Sequence, residues 1–304
     1  MEYYIRIGNP EYRLKLLDSV KIVKSVENLA DTATIVIPGA RMNIPLNFGE
    51  KIHEGDNVTI ELGYDGNLQE EFKGYLKSIS TDGGSISLEC EDGLYVFRVT
   101  LENKEHKGIG LKSLLKLVVN EVNKINGATG NSTNYTVECD YEFGYDKFVV
   151  FRATAYDVLK KVQEETKANI YFAGDVLHVH PPYAEISNAK AVNFDFARNI
   201  EKSDLKYVES KDKNIEVEVT VLFPDGTRQT EKFGQPGGIK TTKTVSTTDR
   251  ESMKRVAESE YNLWVYDGYE GSFTGWLIPY VEPAMKIHLH DADYPKKDGD
   301  YYVV

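Results

Sequence analysis

Two His-x-His pairs hold the most concentrated metal-binding chemistry in this sequence: His178 with His180, and His288 with His290. On a strand, residues two apart project from one side, so each pair could present two imidazoles to an ion. Neither pair has a third ligand nearby at a suitable spacing, and a symmetric trimer would be needed to complete a site from copies. The plainer reading turns Leu177 and Val179, or Ile287 and Leu289, into a core and leaves the histidines facing solvent.

Asp140, Glu142 and Asp146 form the best carboxylate cluster, flanked by Tyr141, Phe143 and Tyr145 in the manner of a sugar-binding or sugar-cleaving cleft. The plainer reading there is a solvated loop with half-buried aromatics. Gly108-Ile109-Gly110, ahead of a helical stretch, has the beginnings of a phosphate-binding loop. However, Ser113 stands where a third glycine belongs, and Asn103 to Lys107 is too polar for a buried strand. Those glycines are read as freeing the backbone at a domain junction. The sequence contains no Gly-x-Ser-x-Gly elbow, His-Glu-x-x-His helix or Walker motif. It assigns no catalytic, cofactor-binding or metal-ligating residue, and an enzyme is not expected.

The hydrophobic pattern marks out the elements that carry these residues. Up to about residue 100, short strands follow one another: Val20-Lys21-Ile22, then Thr32 to Ile37 ending at Pro38-Gly39, then Val58, Ile60 and Leu62 alternating with Thr59 and Glu61. Asp65-Gly66 and Asp82-Gly83-Gly84 supply turns on either side of a return strand, Phe72 to Ile79, after which Ile86, Leu88 and Cys90 alternate. Near residue 108 the period becomes helical. Leu111, Leu114, Leu115, Val118, Val122 and Ile125 share one face, with Gly127 placed to end the helix.

Thr154 and Asp157 form a capping box for a second helix, which carries Val158, Leu159 and Val162. Strand-like pieces at Tyr135 to Cys139, Asn169 to Phe172 and Val176 to His180 accompany the two helices, and Pro181-Pro182 closes the region. Beyond it Ile215, Val217, Val219 and Val221 alternate, and Pro224-Asp225-Gly226 turns. A capping box, Thr248-x-x-Glu251, opens a helix running to about Trp264, and strands follow at Met285 to Leu289 and Asp300 to Val304.

The expected organisation is mainly β with an α+β insert. A small β-barrel spans 1–100, an α+β domain 101–183, and a second barrel with one helix 184–304. A faint internal repeat relates the outer regions. Ile52 to Ile60 aligns with Val281 to Leu289, Thr34 to Pro38 with Gly275 to Pro279, and Gly74 with Gly299, in the same order.

Composition narrows the classes of function. The chain has 304 residues and is 41% hydrophobic, which suits a folded globular protein. Its 20 tyrosines favour strands. A net charge of -12 argues against nucleic-acid binding through a basic stripe. Cys90 and Cys139 are far apart and lack metal-ligand spacing, which predicts reduced, buried thiols made in a cytoplasm. No basic-then-apolar leader opens the sequence, and no apolar run approaches the roughly 18 residues of a membrane span, so membrane insertion is not expected. Asn131-Ser132-Thr133 matches a glycosylation acceptor but, without secretion, is read as a polar loop.

Taken together, the segments resemble the late-control gene D family, the baseplate hub proteins of contractile-tailed phages, to which the hub modules of type VI secretion spike proteins are related. The residues that carry the resemblance are Leu29 to Ile35, Gly55 to Gly66 and Phe72 to Leu76 in the first region. In the middle they are Thr154 to Val162 and Asp175 to Val179. In the last region they are Ala197 to Ile200, Ser203 to Leu205, the helix from Asp249, and Asp298 to Val303.

The resemblance implies a structural baseplate hub: a homotrimer in which two tail-tube-like barrels per chain build a pseudo-sixfold ring, adapting a sixfold tail tube to a threefold spike. It implies further copies of the chain, tube or tube-initiator proteins, a spike and baseplate proteins as partners, with DNA only in transit and no cofactor. The implied location is the virion tail baseplate, assembled in the bacterial cytoplasm. Two departures stand out. Ala284-Met285 replaces a Gly-Asp that the second barrel often carries, and the family pattern continues with at least one strand beyond the position of Val304. The competing expectation is a β-rich carbohydrate-binding or cell-surface adhesion module, which suits the tyrosines and the acidic charge but predicts a secretion signal.

Overall fold

The structure is a computed structural model that describes residues 1–8, 10–38, 51–82, 84–128, 130, 133–181, 191–210, 213–223 and 226–304. Seven strands come first: β1 (Glu2–Ile7), β2 (Tyr12–Arg13), β3 (Ser19–Val23), β4 (Thr32–Ile37), β5 (Asn57–Tyr64), β6 (Asn67–Asp82) and β7 (Ser85–Glu91). They pair antiparallel in the order β2-β1-β5-β6-β7-β4-β3. Alternate residues, among them Ile5, Ile35, Ile60, Phe72 and Leu88, turn into one core of fifteen buried side chains. All fifteen lie between residues 5 and 90, so the sheet curls around a core of its own making. Asp65 and Gly66 join β5 to β6 with φ of 52° and 78°, the left-handed pair whose twist matches that of a hairpin. Gly83, in the second expected turn, lies outside the described residues, as do Gly39, Asn131, Ser132, Pro182, Pro224 and Asp225.

The middle of the chain holds β8 (Lys104–Gly110), α1 (Leu111–Ala128), β9 (Thr136–Cys139), β10 (Gly144–Val150), α2 (Ala155–Thr166), β11 (Asn169–Ala173) and β12 (Val176–His180). α1 buries Leu111, Leu114, Leu115, Val118 and Val122 and adds Val119. Gly127 lies within its last turn. Gly130, with φ of 90°, takes the left-handed position expected of Gly127 and donates its N–H to the Gly127 carbonyl. The capping box of α2 forms as expected: the Asp157 N–H donates to Thr154 Oγ1 at 3.1 Å, and the Thr154 N–H donates to the Asp157 carboxylate at 2.8 Å. The polar stretch before α1 is a strand with no buried residue, in keeping with its polarity. β8 pairs with β10, which buries Tyr145, Phe148 and Val150 in the core while β8 itself stays mostly exposed.

The last part contains β13 (Val192–Asp195), β14 (Ile200–Val208), β15 (Ile215–Leu222), β16 (Arg228–Gly234), β17 (Ile239–Thr244), α3 (Arg250–Trp264), β18 (Gly268–Gly275), β19 (Lys286–His290) and β20 (Gly299–Tyr302). Asp249 caps α3 by accepting the Ser252 N–H at 2.9 Å, one residue later than the box read from Thr248. β14 pairs with β18, and between them the chain makes an excursion. In it, β16-β15-β17 form a sheet against which α3 packs. Ser210 Oγ donates to Asp267 at 2.8 Å and clasps the neck of this excursion.

Expected within the second barrel, Val217, Val219 and Val221 instead share a core with α1 and α2, together with Val245, Met253, Val256 and Ala257. Alternation reports that a face is buried, not which core buries it. The remaining strands, β13-β19-β20 and β14-β18, surround a small core of Phe194, Ile287 and Leu289.

Candidate functional site

Two distant turns carry the same set of bonds. The Asp56 N–H donates to the His53 carbonyl at 3.1 Å with Gly55 at φ 91°, and the Met285 N–H donates to the Glu282 carbonyl at 3.2 Å with Ala284 at φ 66°. A positive φ at the third residue is the mark of a type II turn, and Pro283 suits the second position of the later one. The Gly55 N–H then donates to the Leu76 carbonyl at 2.7 Å, and the Leu76 N–H donates to Asp56 at 2.8 Å. Correspondingly, the Ala284 N–H donates to the Val303 carbonyl at 2.8 Å, and the Val303 N–H donates to Met285 at 3.0 Å. Even the side-chain cap has a counterpart. Asp56 Oδ2 accepts the His53 N–H at 2.8 Å, while the Met285 sulfur accepts the Glu282 N–H at 3.3 Å. Replacing Gly-Asp by Ala284-Met285 leaves the turn intact.

These bonds equate Leu76 with Val303, and so Gly74 with Tyr301 rather than with Gly299. The two glycines answer to different surroundings. A Cβ on Gly74 would lie 2.3 Å from the Glu91 carbonyl, whereas Gly299 has open space. The other expected match is also displaced: Thr34 to Ile37 lies in β4, but of its partner segment only Gly275 lies in a strand, with Trp276, Leu277 and Ile278 exposed beyond it. In chain order, β14, β18, β19 and β20 follow one another as β3, β4, β5 and β6 do. The first strands differ, since β1 runs antiparallel to β5 and β13 parallel to β19.

The two His-x-His pairs occupy unlike places. Leu177 and Val179 are buried as expected, but His178 and His180 do not face open solvent. Their rings stand 5.7 Å apart, and the Tyr171 ring lies against both. Asp140 Oδ1 lies 3.0 Å from His180 Nδ1, Tyr171 Oη lies 3.1 Å from Nε2, and Glu138 lies 3.5 Å from His178. Burial lowers the pKa of His178, against the pull of Glu138. His288 and His290 are more exposed and pair with Asp300 and Asp298 across β19 and β20. Among the described residues, no three His, Cys, Asp or Glu side chains are arranged to hold a metal ion.

The candidate carboxylate cluster is divided among separate partners. Asp140 meets His180, Glu142 meets Arg255 at 3.1 Å, and Asp146 accepts the Thr248 N–H at 2.5 Å. Tyr141, Phe143 and Tyr145 are core residues rather than half-buried loop aromatics. Cys90 and Cys139 are free thiols in different cores, and burial pushes Cys90 up to about 12.

A junction that the sequence did not signal joins the three parts. Val26, Tyr171 and Ala284 bury one another, with Tyr302 packed against them. Lys24 and Glu282 pair at 3.0 Å, and Lys73 and Asp175 at 2.9 Å. Contacts between residues so far apart in sequence leave no local pattern to read.

No family model and no curated protein matches this chain. Solved structures do. A tail protein from Neisseria meningitidis shares 16% identity over 99% of this chain and 90% of its own, with a TM-score of 0.61. A 43 kDa prophage tail protein from Shewanella oneidensis shares 13% identity over 99% of this chain and 92% of its own, with a TM-score of 0.66. An E. coli component of the type VI secretion system shares 7% identity over 97% of this chain and 65% of its own, with a TM-score of 0.51. At these identities the likeness is one of fold, and it extends over nearly the whole chain.

Proposed function

We propose that the chain is a structural, non-enzymatic component of a phage-type tail, serving as a baseplate hub. Three copies form a ring in which two related β modules per chain provide six similar positions. The ring meets a sixfold tube on one side and a threefold spike on the other, and DNA passes through it without a basic surface to hold it. Its other partners are tube-initiator and baseplate proteins, and its place is the virion tail, after assembly in the bacterial cytoplasm.

The observation that carries this reading is the repeated turn-and-strand unit, with its bonds at Gly55 and Leu76 and again at Ala284 and Val303, in a chain whose length follows the tail-protein fold. The repeat supplies the means by which threefold assembly can offer sixfold contacts. Native mass measurement and particle imaging of the chain with its tube and spike partners test it. The expected result is three copies in a ring with six similar β modules. A complex of any other stoichiometry, or peptidoglycan cleavage lost on Asp140→Asn or Glu142→Gln, overturns it.

A further inference from the structure

We infer that His178 and His180 form an acid-sensitive latch on the junction of the three parts: neutral imidazoles hold Tyr171 in it, and charged ones release it. The latch is a chain of contacts. The Asp140 carboxylate accepts a hydrogen bond from His180 Nδ1 at 3.0 Å, which leaves Nε2 of the neutral ring to accept the Tyr171 hydroxyl at 3.1 Å. The His178 ring stacks on the Tyr171 ring, with centroids 5.4 Å apart and planes at 14°, and on the His180 ring at 5.7 Å and 25°. Tyr171 in turn is buried with Val26 of the first part and Ala284 of the last. Two histidines of β12 thus fix the side chain on which all three parts converge.

A proton undoes both contacts. On His180 it occupies Nε2, so the ring can no longer accept the tyrosine hydroxyl. On His178 it places a charge within the stack, beside a second imidazole whose own proton it then opposes. The two histidine side chains are only 16% and 11% exposed, whereas the carboxylates facing them, Glu138 and Asp140, are 72% and 64% exposed and screened by water. Burial prevails: it lowers the pKa of His178 against the pull of Glu138 and Asp140, and the neighbouring His180 adds to the lowering. The hold of the neutral ring is therefore fully present above the ordinary histidine value of about 6.5 and is lost as pH falls through the lowered one.

Lys24 and Asp31 of the first part, and Glu282 and Lys286 of the last, line with Tyr171 a cavity of about 150 Å³, and Tyr302 packs beside it. That cavity gives the released ring room to move. Lys24 and Glu282 pair with each other across it. Burial raises Asp31 to about 6, so its proton stabilises the closed junction and works against the latch as pH falls. Comparing two chains that both keep Asp31 removes that contribution.

His178→Phe keeps a ring against Tyr171 and cannot take up a proton. Amide exchange at Val26 and Tyr171 is compared between the whole chain and this variant at each pH from 5 to 8, so that the intrinsic pH dependence of exchange cancels. The two are expected to match at pH 8, and at pH 5 the unaltered chain is expected to exchange about tenfold faster at these positions. Histidine Cε1–H resonances of the unaltered chain give a second reading that needs no variant. His178 is expected to titrate below the ordinary range, with the Tyr171 ring signals shifting in the same step. An exchange ratio that stays constant or moves the other way, a His178 titration at or above about 6.5, or an acceleration spread evenly over the chain overturns the proposal. The inference rests on the side-chain cluster and not on the tail reading, so either can fail while the other stands.

Discussion

Asp92 accepts the Leu94 N–H at 3.0 Å and the Asp31 N–H at 3.1 Å from a buried position at the end of β7. Burial first, and then the charge of Asp31, raises its carboxyl to about 8; burial raises Asp31 itself to about 6. A carboxyl whose folded pKa lies above its unfolded value of about 4 is protonated more readily in the folded state. Its contribution to stability is fully present below about pH 4 and is lost as pH rises towards 8. Asp92→Asn removes that titration, so the wild type should lose stability relative to the variant between pH 5 and pH 8. Urea midpoints that move in parallel for both proteins would reject this. At Gly55 a Cβ would meet only Tyr95, its hydroxyl at 3.5 Å and its ring at 3.8 Å, so Gly55→Ala should cost about 1–2 kcal/mol through its backbone alone. Chemical denaturation measures it, and an unchanged midpoint would contradict the strain argument.

Among the elements, α2 shows what the sequence can reveal. Its capping box and its apolar face at Val158, Leu159 and Val162 are local features, and both appear where the spacing puts them. Thr154→Ala should cost about 1 kcal/mol in denaturant unfolding. Hydrogen bonds from Thr154 hold Asp157 below the usual carboxylate range, so its share is present above about pH 4 and is lost as pH falls through the lowered value. The β5–β6 turn was legible for the same reason, since Asp65-Gly66 carries its own geometry. The displacement of Gly74 against Tyr301 was not, because a glycine can be required by a neighbouring backbone that sequence spacing does not reveal. His178 and His180 likewise read as solvent-facing from β12 alone; only the chain of β9 and β11 beside them accounts for their burial.

For the whole molecule, the decisive fact is that the excursion between β14 and β18 completes the core of α1 and α2. Val219→Ala should cost about 2 kcal/mol and should speed amide exchange in α1 as well as in β15. A loss confined to residues 215–264 would mean two independent cores. The mainly β character and the order of strands and helices were legible from periodicity, whereas the partner of each buried face was set by contacts between distant parts of the chain. The junction of Val26, Tyr171 and Ala284 is of that second kind.

The pairing of β14 with β18 also sets how the molecule answers to mechanical force. Ile200, where the chain enters the pair, lies opposite Gly275, where it leaves, while Val208 and Gly268 lie at the far end beside the clasp of Ser210 and Asp267. Tension along the backbone reaches the pair at neighbouring ends and opens it one bond at a time, as a zip. Until the last of those bonds and the clasp give way, the excursion hangs outside the path of the force. The part of the central core that it supplies is thus mechanically sheltered in a protein whose strands on either side take the pull.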